Sequence, residues 1–315
     1  MSDFFNKGNK EKRERARSND MASTVFFTKE VTPENIIRLY DKLGVRLEGK
    51  TAIKVHSGEE GNQNYLHPEF WKPVVEYVGG TVVECNTAYP GKRNSSYKHM
   101  KLLDRHGWKK YFTVDLMDRY GPDIEIPVRN GKHLDKDIMG KHFLRYDSML
   151  VLSHFKGHPM GGYGGALKQL SIGCASTAGK VYIHSAGKYQ NAKNQDVVWD
   201  DLPPQDDFLE SMAEAASAVV DHFAGKIVYI NVMANMSVDC DCCAIAEDPC
   251  LKDMGILIST DPVAIDRACI DLVLKSGDPG REHFMERVTS RNGEHTIDAA
   301  AELGVGSKEY ELIEL

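Results

Sequence analysis

What most constrains the fold of this chain is the regular exchange, from about residue 32 onward, between short apolar runs and segments of helical period. Residues 51–56 (TAIKVH) and 81–85 (TVVEC) are short enough for buried strands, and each is followed by a helical segment, 68–77 and 95–106, that ends at glycine. Strand and helix alternating at this spacing predict βαβ units and a parallel sheet. Thr32-Pro33-Glu34 reads as a helix start, with Thr32 as N-cap and Pro33 at the first helical position. Further strands are expected at 148–153, 180–184, 226–233 and 254–259, with a helix at 206–223 and another opening at Asp261-Pro262. The segment 109–147, rich in charge and turn residues, reads as an insertion or connection. The expected class is therefore α/β, with two lobes, 22–147 and 148–315, mainly parallel sheets and a cleft between them.

Composition narrows the function. Of the 315 residues, 42% are hydrophobic and 27% charged, with a formal charge of −7. That balance lacks the clustered Lys and Arg that nucleic acid requires, and no run reaches the ~20 apolar residues of a membrane span. Residues 1–21 carry charge without an apolar core, so they are expected to form a disordered arm rather than a secretory signal. Four of the seven cysteines (Cys240, Cys242, Cys243 and Cys250) fall within eleven residues, which favours a reducing, cytoplasmic compartment and metal binding over disulfides. A homo-oligomer is compatible with this composition.

Chemistry concentrates in three places. The run Asp239-Cys240-Asp241-Cys242-Cys243, followed by Cys250, offers four thiols that suit zinc, iron or an iron–sulfur cluster. Its spacing departs from the C-x₂-C of common metal sites, and the bland reading is a set of small apolar fillers near a turn. After the strand at 148–153 comes a loop with Gly157, Gly161, Gly162, Gly164 and Gly165, accompanied by His154, His158 and Lys168, with His184 at the next strand end. Such a loop at a helix start can hold an anion through its backbone N–H groups, or it can be a plain turn. Arg93 and His99 follow the second strand, where Arg93 could pair with a carboxylate or phosphate. Walker, nucleophile-elbow, H-E-x-x-H and first-strand G-x-G-x-x-G motifs are absent.

The segments VHSGEEGNQNYLHPEF, ECNTAYPGKRNSSYKH, SHFKGHPMGGYGGALKQLSIGCAS and DCDCCAIAEDPCLKDMGILISTDPVAIDRACIDLV together resemble the domain-of-unknown-function family 362. Its members are often labelled iron–sulfur centre proteins. Many relatives append a ferredoxin-like segment that this sequence does not show, and the resemblance implies that Cys240 and Cys242 belong to the family core while Cys243 and Cys250 are additions. HPMGGYGGALK followed by a later His is also similar to the centre of nickel-pincer lactate racemases. That likeness implies a nickel-pincer nucleotide bonded to Lys168 and held by His158 and His184, spaced ten and sixteen residues apart. The racemases' N-terminal motifs are missing in their usual form, and the cysteine run has no counterpart there.

The sequence thus points to a metal- or iron–sulfur-dependent enzyme acting on a small anionic molecule, with redox chemistry expected. Cys240, Cys242, Cys243 and Cys250 are the expected ligands, His158, Lys168 and His184 the catalytic groups, and Arg93, His99 and His154 the substrate contacts. The alternatives are a racemase or epimerase with a pincer cofactor on Lys168, and a non-catalytic metal-binding or electron-carrier protein.

Overall fold

The computed structural model describes residues 22–315, and the expected arm lies outside them. The chain begins with β1 (Ser23–Thr28), α1 (Pro33–Leu43), β2 (Thr51–Lys54), α2 (Pro68–Val78), β3 (Thr81–Glu84), α3 (Ser96–Arg105), α4 (Trp108–Tyr111) and β4 (Val114–Leu116). A hairpin of β5 (Ile124–Pro127) and β6 (Lys136–Met139) follows, then β7 (Ser148–His154), β8 (Lys156–His158), β9 (Gly162–Gly164), α5 (Ala166–Cys174) and α6 (Thr177–His184). The rest is α7 (Gln205–Phe223), β10 (Ile227–Met233), β11 (Gly255–Ser259), α8 (Pro262–Lys275), α9 (Arg281–Ser290), α10 (His295–Glu302) and β12 (Tyr310–Glu314).

Eight strands form one mixed, mainly parallel sheet in the order β12-β1-β11-β10-β7-β2-β3-β4, in which β11 runs against its neighbours. The boundary expected between residues 147 and 148 falls inside this sheet, where Thr51 of β2 lies opposite Ser148 of β7. Both faces are covered. Ile53, Leu150, Leu152 and Val232 pack with α1 and α2 on one side, while Ala52, Met149, Val151 and Tyr229 pack with α5, α7 and α8 on the other. Burial on both faces explains why the strand runs are uninterrupted rather than alternating.

The caps follow the sequence. Thr32 accepts a hydrogen bond from the Asn35 N–H, and Asp261 accepts from Val263 and Ala264 at the start of α8. Two expectations need correction. Residues 180–184 are the second half of helix α6, capped by Ser176, not a strand. Every one of them is buried, and a short apolar run buried all round looks alike in helix and strand. Segment 109–147 is more than a connection, since it supplies edge strand β4 and the β5–β6 hairpin.

The order of strands positions the site. From β2 the chain moves outward through β3 to β4, then returns to the far side of β2 for β7 and onward to β10. The carboxyl ends of β2 and β7 therefore flank a reversal in strand order, the place where open α/β sheets form a crevice.

Candidate functional site

Lys54 closes β2 and Glu84 closes β3, and as neighbours they meet at 2.8 Å with both side chains buried. Glu84 also accepts from the Ser57 N–H and hydroxyl at 2.9 and 3.0 Å. Burial opposes its ionisation, but the charges of Lys54, His56 and Arg93 outweigh that and hold the carboxyl far below the usual range. Arg93 donates to Glu59 at 3.2 Å and to the Tyr89 hydroxyl at 2.5 Å, with Nη1 3.4 Å from His56 Nε2. The guanidinium expected to grip substrate is thus engaged by the protein itself.

The second half of the site comes from β7, the β8–β9 hairpin and the turn after β10. Gly157 must be glycine because a Cβ there would lie 2.2 Å from the Val238 carbonyl oxygen, and its N–H donates to Ser237 at 2.8 Å. That close approach brings the cysteine turn onto the hairpin. Asp241, buried, accepts from His154 Nδ1 and Lys156 Nζ, each at 2.9 Å. Burial works against its charge, yet His154 and Lys156 hold the carboxyl well below its ordinary value. Beside it, Cys240 Sγ lies 3.6 Å from Lys168 Nζ and accepts from the Cys242 N–H at 3.4 Å. Burial alone would keep the Cys240 thiol protonated. A hydrogen bond from Cys242 and the charges of Lys168 and Lys156 overcome that and draw it down to a thiolate. Cys242, pushed the other way by its bonds to Cys240 and Cys243, keeps its proton.

Between these halves lies a cavity of about 350 Å³ lined by His158, Lys168, His184, Cys242, Arg93 and Lys54, among others. Its two central histidines carry opposite tautomers. His158 Nδ1 accepts from the Gly161 N–H at 2.8 Å and the Met160 N–H at 3.2 Å, so the neutral ring carries its proton on Nε2, 3.9 Å from Cys242 Sγ. His184 Nδ1 faces the Lys180 carbonyl at 2.6 Å, which can only accept, so its Nε2 has a free lone pair. Burial pushes His158 down to about 4, with help from Lys168, and His184 down to about 3, so both rings are neutral near pH 7.

The structure gathers His158, Lys168, His184 and Cys242 on one cavity, with Cys240 behind Lys168. Arg93 lines it as well, already paired with Glu59, but His99, His154 and Cys250 do not reach it. His99 is buried between Asn86 and Ser57, and both nitrogens of His154 are taken, by Asp241 and the Ala234 carbonyl. Cys250 directs its sulfur to the Met236 carbonyl at 3.5 Å. The helix start expected to hold an anion is occupied by the chain's own Asp266, which accepts from the Ala166 and Leu167 N–H groups. Lys54, Lys156, Lys180 and Trp199 escaped sequence reading. Lys54 sits inside a strand run and Lys156 in the expected loop after 148–153, positions where a lysine reads as solvent-facing, and Lys180 sits in a run misread as a strand.

Among the described residues, two groups of side chains bring their ligand atoms within 4.8 Å of one another and could hold a metal ion, His158 with Cys240 and Cys242, and His133 with Asp207 and Glu210. A cluster with four cysteine ligands does not fit the first, because Cys250 is turned away. A single soft ion fits the two sulfurs, with His158 joining only if its ring releases the backbone donors on Nδ1.

A family model described as a domain of unknown function, DUF362, matches residues 51–271. The chain belongs to the DUF362 family. Every cavity and cysteine-turn residue named above lies inside that match. Among solved structures, a protein from Thermotoga maritima is similar over 86% of this chain and 58% of its own, with 11% identity and a TM-score of 0.41. The lactate racemase apoprotein from Thermoanaerobacterium thermosaccharolyticum is similar over 66% of this chain and 50% of its own, with 11% identity and a TM-score of 0.36. The DUF362 chain thus spans 58% and 50% of the length of these structures. No curated protein matches it. No helix among the described residues is long and apolar enough to cross a membrane.

Proposed function

We propose that this DUF362 protein is an enzyme that holds a soft metal ion on Cys240 and Cys242 and acts on a small anionic molecule in the adjoining cavity. The observation that carries this reading is the convergence of Cys242, a lysine and two histidines of opposite tautomer on one cavity at the strand-order reversal, with Cys240 directly behind the lysine. A bound ion would supply a Lewis-acid or redox centre. Lys168 balances the thiolate charge and faces the same space. His158 presents an Nε2–H to the cavity and His184 an Nε2 lone pair, so one ring can hold a developing oxyanion by a hydrogen bond while the other takes a proton as base. Met160, Ile172 and Trp199 wall the space with apolar surface and restrict water. An electron carrier would need none of this acid–base apparatus.

One observation favours a second reading, an isomerase with a pincer-type cofactor bonded to Lys168. His184 has the hydrogen bond on Nδ1 that orients a metal-ligating ring, but it is not in either group of protein ligands. An ion on His184 would take its other donors from a bound organic group. Intact-mass spectrometry with metal analysis of anaerobically purified protein separates the two. Metal on an unmodified chain supports the first reading. A mass adduct lost in Lys168→Ala supports the second, and neither metal nor adduct would defeat both.

A further inference from the structure

One buried cation on the cavity wall stands apart from the others. Lys54 and Arg93 are paired with Glu84 and Glu59, and Lys168 Nζ faces Cys240 Sγ at 3.6 Å. Lys180, buried on α6 and lining the same cavity, has no such match. Its one polar partner among the described residues is the Ala175 carbonyl, at 2.5 Å. The acids that act on it over longer range are engaged elsewhere. Glu84 serves Lys54 and Ser57, and Asp118 accepts from the Asn86 backbone and side chain. Asp137 is pushed by burial up to about 7 and has one oxygen without a partner, so it is half neutral at that pH. Burial therefore pulls the pKa of the Lys180 ammonium below its ordinary value, and an anion beside it would restore the charged form.

A second, independent feature lines the same cavity. The indole of Trp199 lines the cavity edge-on to His184, with ring centroids 5.1 Å apart. Its Nε1–H is buried without an acceptor. Buried donors are nearly always satisfied, so an unpaired one beside a cavity asks for an acceptor.

We propose that Lys180 and Trp199 form the anion pocket of the cavity, and that its ligand is a small monocarboxylic acid with an apolar body. Lys180 offers one cation and Trp199 one neutral donor, which suits a single carboxylate, whereas a phosphate or dicarboxylate brings more charge than this pair can match. The carboxylate takes the Lys180 ammonium and the indole N–H, and the apolar body packs on Met160 and Ile172. This placement rests on the reading of the cavity as a substrate site, and it leaves His158 and Lys168 facing the rest of the molecule.

Trp199 also supplies the readout, because Trp71 and Trp108 are fully buried in the sheet-side core. Fluorescence titration of the protein as purified would compare phenylacetate with phenylacetamide, its neutral counterpart. Phenylacetate should bind about tenfold more tightly or better, with the signal lost in Trp199→Phe. Lys180→Met should erase that preference without weakening the amide, and Lys180→Arg should retain part of it. A second measurement needs no variant: phenylacetate, and not the amide, should protect Lys180 from acetylation in the native chain, read by peptide mass spectrometry. A preference that survives Lys180→Met, one that vanishes instead in Lys168→Met, or the absence of any preference would overturn the proposal. Metal content reports on the proposed function separately. Carboxylate binding without metal keeps the pocket and removes the metal reading, and metal without carboxylate preference does the reverse.

Discussion

The two sides of the cavity are built from the same kinds of residue and are in opposite states of satisfaction. On the β2–β3 side, Lys54, Glu84, Arg93, Glu59 and Tyr89 are joined so that each charge meets another charge or a hydroxyl. On the β7–β10 side the pairing is incomplete. Cys240 Sγ faces Lys168 Nζ at 3.6 Å and the Cys242 N–H at 3.4 Å, Cys242 Sγ lies 3.9 Å from His158, His184 keeps an open lone pair, and Lys180 has no counter-ion among the described residues. The first side is a buried ion network whose members hold one another, and removing one should be expensive. The second side keeps reactive valences open, and its members should be removable at little cost to the fold.

The largest effect should come from Glu84→Ala, which leaves Lys54 and Arg93 buried without their shared partner. Breaking such a network costs about 3–5 kcal/mol, measurable as a shift in urea midpoint. A loss below about 1 kcal/mol would mean the network is not the scaffold described here.

A smaller effect should appear with pH. His99, on the satisfied side, is pushed by burial down to about 3, against about 6.5 in an unfolded chain. A lowered folded value means the unfolded chain takes up the proton first. The stability from neutral His99 is therefore complete above pH 6.5 and is lost as pH falls from there toward 3. Between pH 6.5 and 4.5, above the carboxylate range, His99→Gln should reduce the slope of stability against pH by up to about 1.4 kcal/mol per pH unit. An unchanged slope would show that the ring is solvated.

The smallest effect belongs to the open side. Cys242→Ser removes a half-buried thiol whose contacts, to Cys240, Cys243 and His158, are all weak sulfur contacts, so stability should fall by less than about 1 kcal/mol, whatever happens to function. A drop as large as that of Glu84→Ala would erase the contrast between the two sides.

Much of this was legible in the residues. Caps at Thr32 and Asp261 and the parallel strands follow from local rules of cap and strand end, whereas the contact of the glycine loop with the cysteine turn joins Gly157 to Ser237 and had no local signal. His158, Lys168 and His184 could be named because they recur at motif spacing. What stayed hidden depends on partners far apart in sequence. Arg93 looks like a free anion binder until Glu59 is found on it, 34 residues away, and His154 looks catalytic until Asp241, 87 residues on, takes its Nδ1. Cys250 looks like a fourth ligand because proximity in sequence says nothing of where its side chain points. Lys180 was invisible for the opposite reason, since its significance is the lack of a partner, and an absence of pairing has no sequence signature.

The most direct test of the metal-dependent reading is metal content of anaerobically purified protein for three chains, the unaltered one, Cys240→Ser/Cys242→Ser and Cys250→Ser. The account predicts bound metal in the first, its loss in the second at unchanged secondary structure, and its retention in the third. Metal retained by the double variant, or lost with Cys250 alone, would contradict it.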